Sequence, residues 1–203
     1  QKTSNPTDQA FLWEGLQLFA KGLCGIENPL PRTLFTDSPQ KWEDTEFYPF
    51  LWVIHWFAIL YQRPGINLRT VPAFIGAQGV GKGQWCDVMA KLYGSNVCGE
   101  VLDTVYTSQS GFNSELMGKI FCYANEIKQK NSADLYNWIK NNVVEEYITF
   151  HPKGKEPFKG INILNLALFT NDFNALHVED ANRRISFVQS YTGSKEEVEQ
   201  WRL

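Results

Sequence analysis

Hydrophobic residues follow a helical spacing in the first third of the chain. Between positions 11 and 23 they recur every three or four residues, which predicts one apolar helix face that glycines bring to an end. A second, more apolar helix is predicted over residues 49–61, and the Pro64-Gly65 pair stops it. We therefore expect residues 1–66 to form an N-terminal helical segment.

After residue 66, short apolar runs alternate with helical patterns. Strands that alternate with helices favour a mostly parallel central sheet flanked by helices, so we predict an α/β core over residues 67–203. The run at 161–170 is almost continuously apolar, as in a strand buried on both faces, and 152–160 is expected to be a tight basic turn. The other strands are predicted over 71–75, 119–124, 146–151 and 185–188, and the helices over 82–93 and 132–143.

The composition narrows the class of protein. With 203 residues, 43% apolar and 20% charged, the chain is expected to be globular, with one domain or one domain and an appendage. The net charge of −3 argues against a wide basic surface for duplex DNA but allows a local basic loop. The most apolar run, 47–61, is shorter than the roughly 20 residues that span a bilayer. No signal-peptide pattern opens the sequence, so we expect no membrane partner and a cytoplasmic location.

Residues 76–83, Gly-Ala-Gln-Gly-Val-Gly-Lys-Gly, form a glycine loop between a predicted strand and a predicted helix. The spacing G-x-x-x-x-G-K is typical of a phosphate-binding loop, because glycines let backbone N–H groups fold around phosphate oxygens. Lys82 would reach the β and γ phosphates of a nucleotide. The alternative is a glycine-rich turn with a surface lysine. The candidate nucleotide-binding residues are Gly76, Gln78, Gly79, Val80, Gly81, Lys82, Gly83 and Gln84.

Polar residues follow the predicted strand at 119–124. Glu126 is the candidate for polarising a water that attacks the γ-phosphate, and Asn125 stands where Asp is more common. Asn125 would contact Mg²⁺ only weakly or through water, and Gly83 lacks the hydroxyl that usually binds this ion. The alternative is that Glu126 is a solvated residue at a strand end.

Three further candidate residues are associated with the later strands. Asn171, at the end of the run 161–170, could sense the γ-phosphate and position water, or it could simply close an Asx turn. Arg183 and Arg184 could stabilise charge on a transferred phosphoryl group, including one bound by a neighbouring subunit. The alternative for the arginines is a surface ion pair with Glu179 or Asp180.

Residues 151–159, which we call the basic segment, carry the densest positive cluster of the chain. A hairpin tip with lysines can follow the phosphate backbone of a single nucleic-acid strand, although a solvated loop is the alternative. The candidate DNA-binding residues are His151, Lys153, Lys155 and Lys159.

In this order, these elements resemble a superfamily 3 helicase of the AAA+ kind. More narrowly, they resemble the ATPase region of phage- and plasmid-encoded primase-helicases, relatives of the poxvirus primase-helicase. The resemblance covers roughly residues 68–190. Its pieces are the glycine loop, Phe112-Asn113 with Leu116, Ala124-Asn125-Glu126, the basic segment, Thr170-Asn171 and Asn182-Arg183-Arg184.

The resemblance implies a P-loop NTPase (AAA+-like) fold with ATP and Mg²⁺ as cofactors. Glu126 would be the catalytic acid, Asn171 the first sensor, and Arg183 or Arg184 the finger that reaches the next subunit. The basic segment would hold single-stranded DNA in the pore of a ring homo-oligomer, a hexamer. A primase region would lie outside this chain, and the location would be the cytoplasm of a bacterial host. The loop residues implied to bind ATP phosphates are Gly79, Gly81, Lys82 and Gly83.

The function expected from these features is an ATP-dependent DNA helicase or translocase domain of a replication protein. Two alternatives remain open at this point. One is a nucleotide-binding module with little or no hydrolysis that acts as an assembly switch, which the missing Ser/Thr and Asp favour. The other is a different DNA motor, such as a packaging ATPase.

Overall fold

The fold is taken from a computed structural model, which describes residues 6–37, 39–107, 113–172, 174–176, 178–179 and 182–193. Phe112 and Asp180, two residues named above, lie outside these ranges. Within them, no helix is both long and apolar enough to cross a membrane. The α-helices are α1 (Pro6–Cys24), α2 (Tyr48–Gln62), α3 (Lys82–Tyr93), α4 (Asp103–Thr107) and α5 (Ser132–Trp138).

Short helical turns complete the helical elements. The helix α5 continues directly into a π-helical turn, Ile139–Val143, so the helix predicted over 132–143 is present but changes its winding after Trp138. The 3₁₀ turns are Pro39–Trp42, Ser114–Leu116 and Gln129–Asn131.

The strands form one central sheet and one separate hairpin. The five strands of the central sheet are all parallel, in the order β2-β3-β6-β1-β7, and β4 pairs antiparallel with β5. The predicted mixed α/β fold with a mostly parallel central sheet is therefore confirmed. The strands are β1 (Val71–Ile75), β2 (Cys98–Glu100), β3 (Phe121–Ala124), β4 (Tyr147–Phe150), β5 (Phe158–Ile161), β6 (Asn165–Thr170) and β7 (Ile185–Gln189).

Helices cover both faces of the central sheet. Alternate residues of a strand point to opposite faces, so each strand contributes to two hydrophobic clusters. Phe74, Phe121 and Phe169 pack in one cluster with residues of α1, α2 and α3. Ala73 and Leu168 belong to the other cluster, which contains residues of α4 and α5. Strand β6 is buried at every position, as its apolar sequence predicts.

The N-terminal helices pack on the same sheet as the rest of the chain. Phe50 and Leu60 of α2 are completely buried in the cluster that contains Phe74 and Phe121. The side chain of Ser190, which follows β7, donates a hydrogen bond to the carbonyl of Leu23 at the end of α1. The division between residues 1–66 and 67–203 stays a prediction, but the two parts share one hydrophobic cluster.

The prediction of a single strand over 161–170 is wrong, because the chain passes from one sheet to another within these residues. Strand β5 ends at Ile161 and pairs with β4, whereas β6 begins at Asn165 in the central sheet. The buried amide of Asn162 makes this break: its Nδ2 donates to three backbone carbonyls and its Oδ1 accepts from the N–H of Leu164. The basic turn predicted over 152–160 is consequently too long, since Phe158 already starts β5.

Candidate functional site

The glycine loop leaves the carboxyl end of β1 and enters α3 without a break. Gly79 and Gly81 have φ angles of 92° and 90°, in the left-handed region that only glycine adopts without strain. Gly81 is the N-cap residue of α3, and Lys82 is the first residue of the helix. The N–H groups in the first turn of a helix have no partner within the helix, so the start of α3 can bind an anion.

Lys82 folds back over the loop. Its Nζ donates to the carbonyl oxygens of Gly76 and Ala77, each at 2.6 Å. Burial lowers the pKa of Lys82 from 10.5 to about 8, because a half-buried ammonium loses part of its hydration. The ammonium therefore lies in the loop, where it can exchange these carbonyls for oxygens of a bound anion.

A cavity of about 510 Å³ lies at the carboxyl edge of the central sheet. This volume is within the range of small-molecule sites, and in open α/β sheets ligands bind outside the carboxyl ends of the strands. The cavity brings together the predicted residues from the loop, from β3 and from β6. It is lined by Gln78, Gly79, Gly81, Lys82, Gly83, Gln84, Glu100, Asn125, Glu126, Phe169, Thr170 and Asn171.

Gly76 and Val80, two of the predicted nucleotide-binding residues, do not line the cavity. Val80 is buried, with 8% of its surface exposed. A Cβ atom at Gly76 would lie 2.6 Å from the Cβ atom of Ser190, so glycine is needed there for the close packing of β1 against the chain after β7. Gly76 and Val80 thus support the loop from the protein side.

The end of β3 carries a strained backbone and a polar contact. Glu126 is exposed to the cavity and has a φ of 50°, which is unusual for a residue other than glycine. Strain of this kind is often found at functional sites. Beside it, the Nδ2 of Asn125 donates to Oε1 of Glu100 at 3.2 Å. Both predicted residues, Asn125 and Glu126, therefore line the cavity together with a second glutamate.

Sequence reasoning did not identify Glu100. This residue ends β2, a strand of only three residues that no periodicity can predict. In the sequence, Glu100 is a carboxylate that follows a short apolar stretch between α3 and β3. This pattern is too weak to mark Glu100 as a site residue. Parallel pairing of β2 with β3 brings Glu100 to the same edge of the sheet as Asn125.

The end of β6 places Asn171 at the cavity. The buried hydroxyl of Thr170 accepts a hydrogen bond from the N–H of Asp172, and Oδ1 of Asp172 accepts from the N–H of Asn174. The Asx turn considered for this segment is therefore made by Asp172. Asn171 is exposed and lines the cavity beside Thr170.

Arg183 and Arg184 lie at the opposite edge of the sheet from the cavity. The carbonyl of Arg184 accepts a hydrogen bond from the N–H of Val71, where β1 begins, whereas the glycine loop starts where β1 ends. Within one chain the arginines do not line the cavity. Glu179 is one of the ion-pair partners suggested for the arginines. Its Oε1 lies 3.7 Å from Nζ of Lys140, so it forms an ion pair with this lysine.

The basic segment forms the turn of the β4–β5 hairpin and the start of β5. Lys153, Lys155 and Lys159 are exposed. His151 is half-buried at the root of the hairpin, where its backbone N–H donates to Oδ1 of Asn113. The Nδ2 of Asn113 also donates to the carbonyl of Thr149, so this buried amide fixes the hairpin root.

Comparison with known proteins assigns the chain to a family. The model of the "Family of unknown function (DUF5906)" matches residues 74–184, from β1 to the residue before β7, so the chain belongs to this family. That range contains the glycine loop, the ends of β3 and β6, and the basic segment.

One similar protein comes from a bacteriophage. The chain is 27% identical over 149 residues to a DNA primase-polymerase of Nitratiruptor phage NrS-1. The matched region covers 71% of this chain and 20% of that protein. The chain thus spans a fifth of the length of the curated relative it matches.

Solved structures of the NrS-1 C-terminal region share the fold. The apo structure of this region (305-718) matches with a TM-score of 0.61 and 23% identity over 73% of this chain and 38% of that one. Its A form matches with a TM-score of 0.58 and 22% identity, over 73% and 36% of the two chains.

Proposed function

We propose that this chain is the ATP-hydrolysing motor core of a phage-type DNA replication protein, which moves along single-stranded DNA. The observation that carries the proposal is the meeting of Lys82, Glu126 and Asn171 around one cavity at the carboxyl edge of a parallel sheet. A cationic loop, a carboxylate and an amide at such an edge are the groups that nucleoside triphosphate hydrolysis requires. This reading agrees with the resemblance to AAA+ superfamily 3 helicases.

The glycine loop would bind the triphosphate of ATP. Lys82 would leave the carbonyls of Gly76 and Ala77 for oxygens of the β and γ phosphates, and the start of α3 would add its positive dipole end. The donor set around the cavity also suits Mg²⁺, which prefers oxygen ligands: Asn125 offers an amide oxygen and Glu126 a carboxylate. Because Gly83 has no hydroxyl, water would complete the coordination. When bound, Mg²⁺ would neutralise charge on the phosphates.

Hydrolysis would depend on residues from different strands. Glu126 would accept a hydrogen bond from the attacking water and orient it, and Asn171 would hold the same water from the end of β6. Arg183 or Arg184 would act on the cavity of another copy, because both lie at the far edge of their own sheet. This arrangement is consistent with a ring homo-oligomer, a hexamer.

Single-stranded DNA would bind to the basic segment. Its exposed lysines are carried on a hairpin separate from the central sheet, so hairpin movement can follow the nucleotide state without breaking the core. The similarity to a phage primase-polymerase supports a role in DNA replication, with a primase region linked outside this chain. The site of action would then be the cytoplasm of the host bacterium.

The direct test is the ATPase rate, with and without single-stranded DNA, of wild type, Lys82→Ala and Lys91→Ala. Lys91 is an exposed lysine in the last turn of the same helix and serves as the matched control. We expect Lys82→Ala to lose roughly a hundredfold or more in rate, and Lys91→Ala to resemble wild type. Equal rates for wild type and Lys82→Ala would refute the proposal.

A second candidate is a nucleotide-binding module that works as an assembly switch without turnover. The observation in its favour is that Gly83 and Asn125 occupy positions where a hydroxyl and a carboxylate usually hold the metal. It predicts tight ATP binding with negligible hydrolysis, and DNA binding that survives loss of Lys153 and Lys155. Stimulation by duplex rather than single-stranded DNA would instead indicate a packaging motor.

A further inference from the structure

Glu100 and Asn125 form a hydrogen-bonded pair at the edge of the cavity. They end neighbouring parallel strands, β2 and β3, and the Nδ2 of Asn125 donates to Oε1 of Glu100 at 3.2 Å. Both side chains line the cavity that also contains Lys82 and Glu126. Glu100 has no role in the functional proposal above, although it is the second carboxylate in this cavity.

The chemistry of the two groups fixes the orientation of the amide. An ionised carboxylate only accepts hydrogen bonds, whereas an Asn amide donates from one end and accepts at the other. Beside Glu100, Asn125 must therefore present its NH₂ group to the carboxylate, which leaves Oδ1 on the other side of the amide. The reverse orientation would put two acceptor oxygens against each other and would offer an NH₂ group to any bound cation.

We propose that Glu100 is a positioning residue that holds the Asn125 amide with its oxygen available to the metal–nucleotide complex. The proposal deepens the function proposed above and rests on it. It also accounts for the asparagine at position 125, because an aspartate there would bring a second negative charge within hydrogen-bonding distance of Glu100. In this chain the neutral amide and the neighbouring glutamate are a matched pair.

The pair can be exchanged to test this role. Glu100→Gln removes the group that dictates the amide orientation, and Asn125→Asp places two carboxylates together. The double variant Glu100→Gln/Asn125→Asp restores one hydrogen bond with donor and acceptor exchanged. Glu115→Gln is the matched control, since Glu115 is exposed in a 3₁₀ turn and does not line the cavity.

The readout is the affinity for a fluorescent ATP analogue in Mg²⁺ and in EDTA, together with kcat and KM for ATP. In each single variant a hydrogen bond to a charged group is lost. We therefore expect the ratio of affinity in Mg²⁺ to affinity in EDTA to fall about tenfold, and kcat to fall by a similar factor. The double variant should recover most of both losses. In EDTA, Glu100→Gln should bind at least as tightly as wild type, because it removes a negative charge from the cavity, and the double variant, whose net charge is that of wild type, should bind like wild type.

The outcomes separate this inference from the function on which it rests. Normal Mg²⁺-dependent binding by Glu100→Gln, or a double variant no better than Asn125→Asp, would overturn the positioning role while leaving the ATPase assignment intact. A loss of affinity by Glu100→Gln in EDTA equal to its loss in Mg²⁺ would also overturn the positioning role, since Glu100 would then act on the fold or on the nucleotide itself. Absence of nucleotide binding by the wild type would refute the proposed function and this inference together.

Discussion

Helix α1 packs with its backbone directly against the glycine loop, through Gly22 and the carbonyl of Val80. A Cβ atom at position 22 would lie 2.7 Å from the Val80 oxygen, a distance that side-chain carbons do not reach without displacement of the backbone. The carbonyl of Gly22 also accepts a hydrogen bond from the N–H of Tyr191 at 3.0 Å. The N-terminal helix is therefore the back support of the candidate nucleotide site.

Gly22→Ala should displace the glycine loop, because the added methyl group would contact the Val80 carbonyl. In an exposed helix the change would stabilise by about 1 kcal/mol, but here the added methyl must push α1 and the loop apart, and overpacking of this kind costs about 1–3 kcal/mol. We expect a lower free energy of unfolding in urea and a weaker affinity for the fluorescent ATP analogue.

Gly15→Ala is the matched control for this prediction. Gly15 lies in the same helix, is exposed, and a Cβ atom there would meet nothing within 4 Å. This change should raise the free energy of unfolding by about 0.5–1 kcal/mol and leave nucleotide affinity unchanged. If Gly22→Ala behaved in the same way, α1 would not support the loop.

The sequence was sufficient to predict the parts of the site that follow long, clearly patterned elements. The glycine loop lies between a five-residue apolar strand and a twelve-residue helix whose predicted bounds, 71–75 and 82–93, are those observed. The ends of β3 and β6 could be placed together because the carboxyl ends of parallel strands meet at one edge of a sheet. For this reason the sequence alone predicts Glu126 and Asn171 as candidates, and both line the cavity.

Tertiary contacts decided what the sequence did not predict. Glu100 ends a three-residue edge strand that pairs with β3 in the central sheet. The break at Asn162 depends on carbonyls of Asn142, Val143 and Glu145, and an apolar pattern contains no information about such partners. The support of the loop by Gly22 is equally invisible, because a glycine near a helix end is an ordinary stop signal in a single sequence.

Because the backbone at Glu126 is strained, a substitution that relieves the strain should stabilise the fold, although loss of the carboxylate should abolish activity. Its φ of 50° is unfavourable for a residue with a Cβ atom by about 1–2 kcal/mol, and glycine removes this cost while adding some entropy to the unfolded state. Glu126→Gly should therefore raise the free energy of unfolding by about 0.5–1 kcal/mol while abolishing ATP hydrolysis. Urea unfolding and a steady-state ATPase assay measure the two effects.

Arg69 provides the control for the strain argument. It has a φ of 57° and lies before β1, away from the cavity. Arg69→Gly should raise the free energy of unfolding by a similar amount and leave hydrolysis at the wild-type rate. A fall in stability for Glu126→Gly, with Arg69→Gly stabilised, would mean that the Glu126 side chain contributes more to the fold than its backbone strain costs.

The basic segment should contribute salt-dependent affinity for single-stranded DNA. Each lysine that neutralises a phosphate adds about 0.7 to the slope of log affinity against log salt. Lys153→Ala/Lys155→Ala should lower this slope and weaken binding of an oligothymidine at low salt. Fluorescence anisotropy at several salt concentrations measures both quantities.

A second lysine pair tests whether position matters or only charge. Lys128 and Lys130 are exposed, have the same spacing, and lie after β3 rather than on the hairpin. Lys128→Ala/Lys130→Ala should leave the salt slope near that of wild type. Equal losses for the two double variants would indicate a diffuse electrostatic attraction and remove the special role of the basic segment.

Nucleotide binding should depend on pH through Lys82. With a pKa of about 8, the ammonium is charged at pH 7 and largely neutral at pH 9.5, although a phosphate ligand requires the charged form. Binding at high pH must then be accompanied by proton uptake, so the affinity should fall by up to about tenfold per pH unit above pH 8. Fluorescence titration between pH 7 and 10 measures this fall, and calorimetry in two buffers detects the proton.

The lowered pKa of Lys82 also means that deprotonation of this lysine does not destabilise the fold, so unfolding caused by Lys82 cannot explain the fall in nucleotide affinity above pH 8. The lysine has a pKa of 10.5 when unfolded and about 8 in the folded chain, so between these values the unfolded state binds more protons. Stability contributed by this group therefore rises with pH through the window in which affinity falls. Lys82→Arg keeps its charge throughout, and its affinity should not show the decline above pH 8. A wild-type affinity that is constant up to pH 10 would mean that the Lys82 ammonium does not contact the phosphates.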